Sequence, residues 1–390
     1  MKNFDEIIRE ATDLRRDFHK HPATAYEEVY ISDRVATKLT EWNIPFERNW
    51  AVTGIVATIH GKRNSNRAIG FRADMDALDI VETSGVPWSS TIKGKMHACG
   101  HDGHTASLLA FAHYLSLNND FSGKVHLFFQ PAEEGKGGAI KMIDQGLFDK
   151  FPCEKIFACH NWPWFKRGKI ALRTGAILGA IDRVRIKVSG RGGHAASPHD
   201  TIDPIPAIAQ LTLALQTIVS RNVDPMKNAV VSVTNLNAGT GAENVIPRDA
   251  SLTISVRSLD ENVRDILKER IIKLTETIAA GFNLTHTIDY ERGFDATVND
   301  AAATIIAADS AREVVGYDNV DDNTPPWMGA EDFGAMLKVI KGCYILVGQG
   351  EDDPNSPHNK SLHHDAYDFN DKIMPSVVKL FEGIVKRILA

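Results

Sequence analysis

Residues 182–190 alternate polar and apolar side chains strictly, with Val184, Ile186 and Val188 on one face. A period of two is the mark of a half-buried strand. A helical stripe follows at Ile208, Leu211, Leu215 and Ile218, and two further alternating runs occupy 229–236 and 250–257. A second helix over about 263–280 precedes a last strand at 283–290. The order β-α-β-β-α-β is that of a ferredoxin-like split unit. Residues 179–292 are therefore read as an inserted α+β domain.

The flanking sequence has a different rhythm. Phe4, Ile7, Ile8, Ala11, Leu14 and Phe18 recur at helical spacing, and 105–115 carries an apolar face at Leu108, Leu109, Ala112 and Leu115. Strand-length apolar runs lie at 54–60, 68–72, 124–130, 155–160 and 343–348, with helices expected near 300–315 and 371–389. Such alternation predicts an α/β layer with a mostly parallel sheet. The main domain is then discontinuous, 1–178 with 293–390, and the Asp-rich stretch 318–323 reads as a surface loop.

A net charge of −6 argues against a nucleic-acid surface, and no apolar run reaches membrane-spanning length. The charged N-terminal helix does not read as a signal peptide, so a soluble, cytoplasmic protein is expected. In that compartment Cys99, Cys153, Cys159 and Cys343 give no reason to expect disulfides.

The chemistry concentrates in four segments. His97-Ala-Cys99-Gly-His101-Asp-Gly-His104 supplies thiolate and imidazole donors, which suit zinc and its transition-metal neighbours. Glu133 and Glu134 leave the strand 124–130, where open α/β sheets bind ligands. Adjacent carboxylates at a strand end are expected to diverge, one toward a metal and one into the cleft as a base. His160 ends the strand 155–160, and Leu362-His363-His364-Asp365 follows the strand 343–348 with two histidines able to ligate. Asp74 and Asp76, at another strand end, are placed to orient histidine ligands. His194 lies in a Gly-rich turn, 189–199, that lacks the spacing of a phosphate loop but could present an imidazole to a substrate.

Taken in order, RRDFHKHP, RADMDAL, HACGHDGH, PAEEG, HNWP, GGHAASPH, ENVIP, MGAEDF and LHHDAYDFND resemble the M20 metallopeptidases. The likeness is to their amidohydrolase branch of hippurate hydrolases, N-acyl-amino-acid amidohydrolases and auxin-conjugate hydrolases. It departs at Pro22-Ala-Thr, where Pro-Glu-Leu is common, and at His363-His364-Asp365, where a single histidine is usual.

The resemblance implies a zinc-peptidase-like α/β catalytic domain with an inserted satellite domain. It implies two divalent ions, zinc or manganese with cobalt or nickel as alternatives, bridged by Cys99 and completed by His101, Glu134, His160 and His363. Glu133 then falls on the general base and His194 on a donor to the oxyanion. Asn244 and Arg257 match positions near the substrate carboxylate. The expected substrate is an N-acyl-L-amino acid, with a dipeptide or N-acetyl-diaminopimelate as alternatives, and the expected assembly is a homodimer or homotetramer. Trp162, Trp164 and Phe165, beside His160, either wall an aromatic acyl pocket or pack beneath the site. Outside the family, a Cys99-nucleophile amidase or a non-catalytic binding protein would leave part of this residue set unexplained.

Overall fold

The apolar runs of the flanking sequence assemble into an eight-stranded mixed sheet in a computed structural model that describes residues 2–390. Its four central strands, Ser122–Gln130, Arg63–Asp74, Lys155–Lys166 and Gly342–Gly350, are parallel neighbours in that order. Gly342–Gly350 is buried at every residue, as a strand covered on both faces requires. The margins differ from the mostly parallel expectation. Phe46–Trp50 and Gly54–His60 extend one side antiparallel, and Ile170–Ala171 pairs antiparallel on the other. The Asp-rich stretch is not simply a loop, because Val320–Asp321 forms the outermost short strand, parallel to Ile170–Ala171.

Phe71, from a central strand, meets Phe111 at 5.0 Å and Phe381 at 4.5 Å between ring centroids. These contacts dock helices His101–Leu117 and Met374–Leu389 on one face of the sheet. This unit runs to Ile177 and includes Thr297–Pro325 and Asp332–Ala390.

The second compact unit comprises Leu178–Ala296 with Pro326–Glu331. Its antiparallel sheet has the order Ala229–Ala238, Asp249–Ser258, Ala180–Ser189, Thr285–Arg292. That is the ferredoxin-like order, with strands two, three, one and four side by side. Val184, Ile186 and Val188 share a core with Ile208, Leu211 and Leu215 of helix Pro204–Asn222 and Leu267 and Ile271 of helix Glu261–Gly281. Asp203 and Asp260 cap these helices by accepting backbone N–H groups, and Pro204 opens the first.

All four cysteines are free thiols. Among the described residues, no helix is long and apolar enough to cross a membrane.

Candidate metal centre

Four segments converge at the C-terminal ends of the parallel strands. Cys99 lies just before helix His101–Leu117, and Gly100 between them adopts φ +92°. A Cβ there would sit 2.4 Å from Asn161 Oδ1 and 2.6 Å from the Tyr367 hydroxyl, so only glycine lets the thiol and His101 turn inward together. His160 is held by its strand, paired in register with Leu346. The last segment returns to the site when the His363 N–H donates to the Ala98 carbonyl at 2.8 Å.

The donor atoms of Cys99, His101 and His160 lie within 4.8 Å of one another, as do those of Cys99, Glu134 and His363. A third such group joins His101, Glu133 and Glu134. Of the two adjacent histidines, it is His363 whose Nε2 approaches Glu134 Oε1, at 3.2 Å, while His364 turns its Nδ1 to Asp365.

Glu133 and Glu134 both come within 4.8 Å of a His101 nitrogen and then part, Glu134 toward Cys99 and His363 and Glu133 toward Asp332. Ala132 takes the left-handed conformation (φ +59°), and Glu134 and Gly135 leave helical geometry, so the chain turns tightly enough for both carboxylates to face His101. His363 is left-handed too, at φ +66°. Strain of this kind costs about 1–3 kcal/mol per residue and gathers at functional sites.

Hydrogen bonds orient the rings. His160 Nδ1 donates to the Asn161 carbonyl at 2.7 Å, which leaves its Nε2 lone pair facing Cys99 Sγ at 3.5 Å. His101 Nδ1 lies 3.3 Å from Asp76 Oδ1, and the other oxygen of Asp76 accepts the Glu134 N–H. Asp74 reaches His104 Nδ1 at 2.6 Å, and Asn161 holds the opposite side of that ring. This fixed outer layer is what a metal site uses to set ligand direction.

Burial, reinforced by His104, pushes the His160 pKa well down and keeps the ring neutral. Burial also opposes charge on His101, but Asp74, then Asp76 and Glu134, outweigh it and raise its pKa to about 10. The cluster thus attracts positive charge strongly. His101 Nε2 is buried and makes no hydrogen bond. Sulfur, imidazole and carboxylate donors around such an atom fit a divalent transition metal.

The remaining expected residues belong to the smaller unit. His194 sits on the short strand Gly193–His194, opposite Val245, and the Asn244 carbonyl accepts the Ala195 N–H at 2.9 Å. Arg257 lies on Asp249–Ser258, half-buried, and donates from Nη1 to the Met328 carbonyl. Asn161 and Tyr367 escape sequence reasoning. They touch the site through long-range contacts, with Asn161 Nδ2 donating to the Tyr367 hydroxyl at 2.6 Å. The only signal was the place of Asn161 directly after His160.

Residues 70–387 match the sequence profile of peptidase family M20/M25/M40. The hippurate hydrolase of Campylobacter jejuni is 39% identical over 96% of both chains. An N-acetyl-L-cysteine deacetylase of Bacillus subtilis is 37% identical, over 99% of this chain and 90% of that protein. A Bacillus subtilis structure described as a dinuclear metal binding peptidase from the M20 family superposes with a TM-score of 0.84 at 30% identity, covering 99% of each chain. With this alignment spanning the site just described, the chain belongs to the M20 peptidase family, in its amidohydrolase branch, and is a metal-dependent hydrolase.

Proposed function

We propose that the protein hydrolyses the amide bond of N-acyl-L-amino acids to a carboxylic acid and a free amino acid, accepting arylacyl groups such as the benzoyl of hippurate. The observation that carries this reading is the convergence of Cys99, His101, Glu134, His160 and His363 beside the buried carboxylate of Glu133. Two divalent ions, zinc or manganese with cobalt or nickel as alternatives, would activate water at neutral pH and polarise the amide carbonyl there.

Glu133 takes a proton from the attacking water and returns it to the departing nitrogen. The Ala196 N–H donates to His194 Nδ1 at 3.0 Å. The neutral ring therefore carries its proton on Nε2, the form that donates to a developing oxyanion. The Arg257 guanidinium donates to the Met328 carbonyl and suits the planar carboxylate of an amino acid, with Asn244 as a second polar contact.

An aromatic line supports the acyl preference. His160, Trp162 and Trp164 are two apart on one strand and share a face. Their rings step outward at 6.3 Å and 4.8 Å, both edge-on, from buried His160 and Trp162 to exposed Trp164. The edge strand Ala229–Ala238, bonded on one side only, supports a homodimer.

The test is release of amino acid from hippurate, N-acetyl-amino acids, dipeptides and N-acetyl-diaminopimelate, measured before chelation, after it, and after zinc or manganese is restored. Loss and recovery on hippurate supports the reading. Metal-dependent cleavage of dipeptides or the diaminopimelate derivative alone would reassign the substrate. Activity that survives complete metal removal would overturn the mechanism in favour of Cys99 as nucleophile.

A further inference from the structure

Glu28 is fully buried, and among the described residues no arginine or lysine pairs with it. It occupies the N-cap position of helix Val29–Glu41, yet its side chain caps nothing on that helix. An acidic N-cap normally accepts an N–H of its own first turn. Glu28 Oε1 instead accepts the Ala132 N–H at 2.9 Å and the Tyr26 N–H at 3.0 Å, while the Thr53 hydroxyl donates to Oε2 at 2.6 Å. Burial, moderated by Thr53, pushes the Glu28 pKa up to about 7. A carboxylate desolvated in this way, served by neutral donors alone, costs stability that a plain helix cap does not require.

Tyr26 completes the pattern. Its hydroxyl donates to the Lys136 carbonyl at 2.9 Å, and its backbone is left-handed at φ +70°, like that of Ala132 at +59°. The two bonds therefore grip the chain at Ala132 and at Lys136. Only Glu133, Glu134 and Gly135 lie between them. Within this span Glu134 and Gly135 depart from helical geometry, and just beyond it the Gly138 N–H donates back to the Ala132 carbonyl at 3.0 Å.

We propose that Tyr26 and Glu28 are positioning residues: a clamp on the turn 26–28 that holds the Glu133–Glu134 loop in its strained form, so that both carboxylates face the metal site. The inference rests on Glu133 being the base and Glu134 a ligand. It places a specific demand on the N-terminal segment, whose first turn departs from the family pattern at Pro22-Ala-Thr.

The experiment compares the wild type with Tyr26→Phe, Glu28→Ala, Glu28→Gln and Glu133→Gln. Amide hydrogen exchange is followed over residues 131–138, cobalt(II) binding by its thiolate absorption, and kcat and KM on hippurate. Tyr26→Phe and Glu28→Ala are expected to speed exchange in 131–138 at least tenfold, with the rest of the chain unchanged. Both should weaken cobalt binding and lower kcat about tenfold or more, with KM within about twofold of wild type. Glu28→Gln should stay near wild type, since its amide oxygen can accept both N–H groups and its NH2 can donate to Thr53. Unaltered exchange and cobalt binding in Tyr26→Phe and Glu28→Ala would overturn the clamp. So would exchange raised throughout the domain, the mark of a general structural role. If Glu28→Ala does not fold, Tyr26→Phe and Glu28→Gln decide the matter. Full activity in Glu133→Gln would instead defeat the assignment of the base, and the exchange data would still judge the clamp.

Discussion

Cys99 Sγ stands 3.5 Å from His160 Nε2, and the same sulfur is common to the donor groups completed by His101 with His160 and by Glu134 with His363. In the proposed site this sulfur serves two ions at once. Cys99→Ala should therefore release metal itself, lowering affinity by more than the ~10–100-fold that outer-layer changes cost. Metal per chain, measured by mass spectrometry after dialysis, checks this. Unchanged stoichiometry would remove Cys99 from the bridging position.

Glu133 calls for the opposite signature. A base that is not a ligand can be replaced by its amide without disturbing the ions. Glu133→Gln should lower kcat by ~10²–10⁴-fold, the usual worth of a positioned proton acceptor. Metal content and thermal stability should stay near wild type. Near-normal turnover would mean that another group takes the proton.

The residues that announce themselves in sequence do so because local rules govern them. Strict alternation at Val184, Ile186 and Val188 marks a strand whatever surrounds it, and the ferredoxin-like order followed from such runs alone. Cys99 and His101 stand out because thiol and imidazole donors two apart have few other common uses. What stayed hidden depends on contacts across the chain or on backbone strain. Nothing local says that Ala132 is left-handed, and an alanine there argues against it. That turn is what lets both carboxylates reach His101 before Glu134 goes on to Cys99 and His363 and Glu133 to Asp332. Asn161 meets His104 from 57 positions away, and Val320–Asp321 becomes a strand only because Ile170–Ala171 offers it an edge.

His194 should act through turnover rather than through metal. With Nδ1 occupied by the Ala196 N–H, its proton sits on Nε2, ready to donate. His194→Ala should reduce kcat by ~10²–10³-fold, the cost of removing one oxyanion donor. Metal stoichiometry should be unchanged. A variant with wild-type kcat would exclude the oxyanion role.

A separate prediction concerns stability and pH at His126, on the strand Ser122–Gln130. The ring is buried, with Nδ1 2.9 Å from the Thr58 hydroxyl. Burial first, then Lys124 and His60, push its pKa down from 6.5 to about 4. The folded state thus resists a proton that the unfolded chain accepts. The stability this contributes is fully present above pH 6.5 and is lost progressively as pH falls toward 4. At 1.36 kcal/mol per pKa unit the fall from 6.5 to about 4 corresponds to a loss of about 3–4 kcal/mol. His126→Gln should be less stable than wild type at pH 7.5, since it disturbs a buried contact, but should lose less on acidification. The difference in melting temperature between the two should therefore narrow between pH 7 and pH 4.5. A constant difference across that range would show that His126 does not titrate differently on folding.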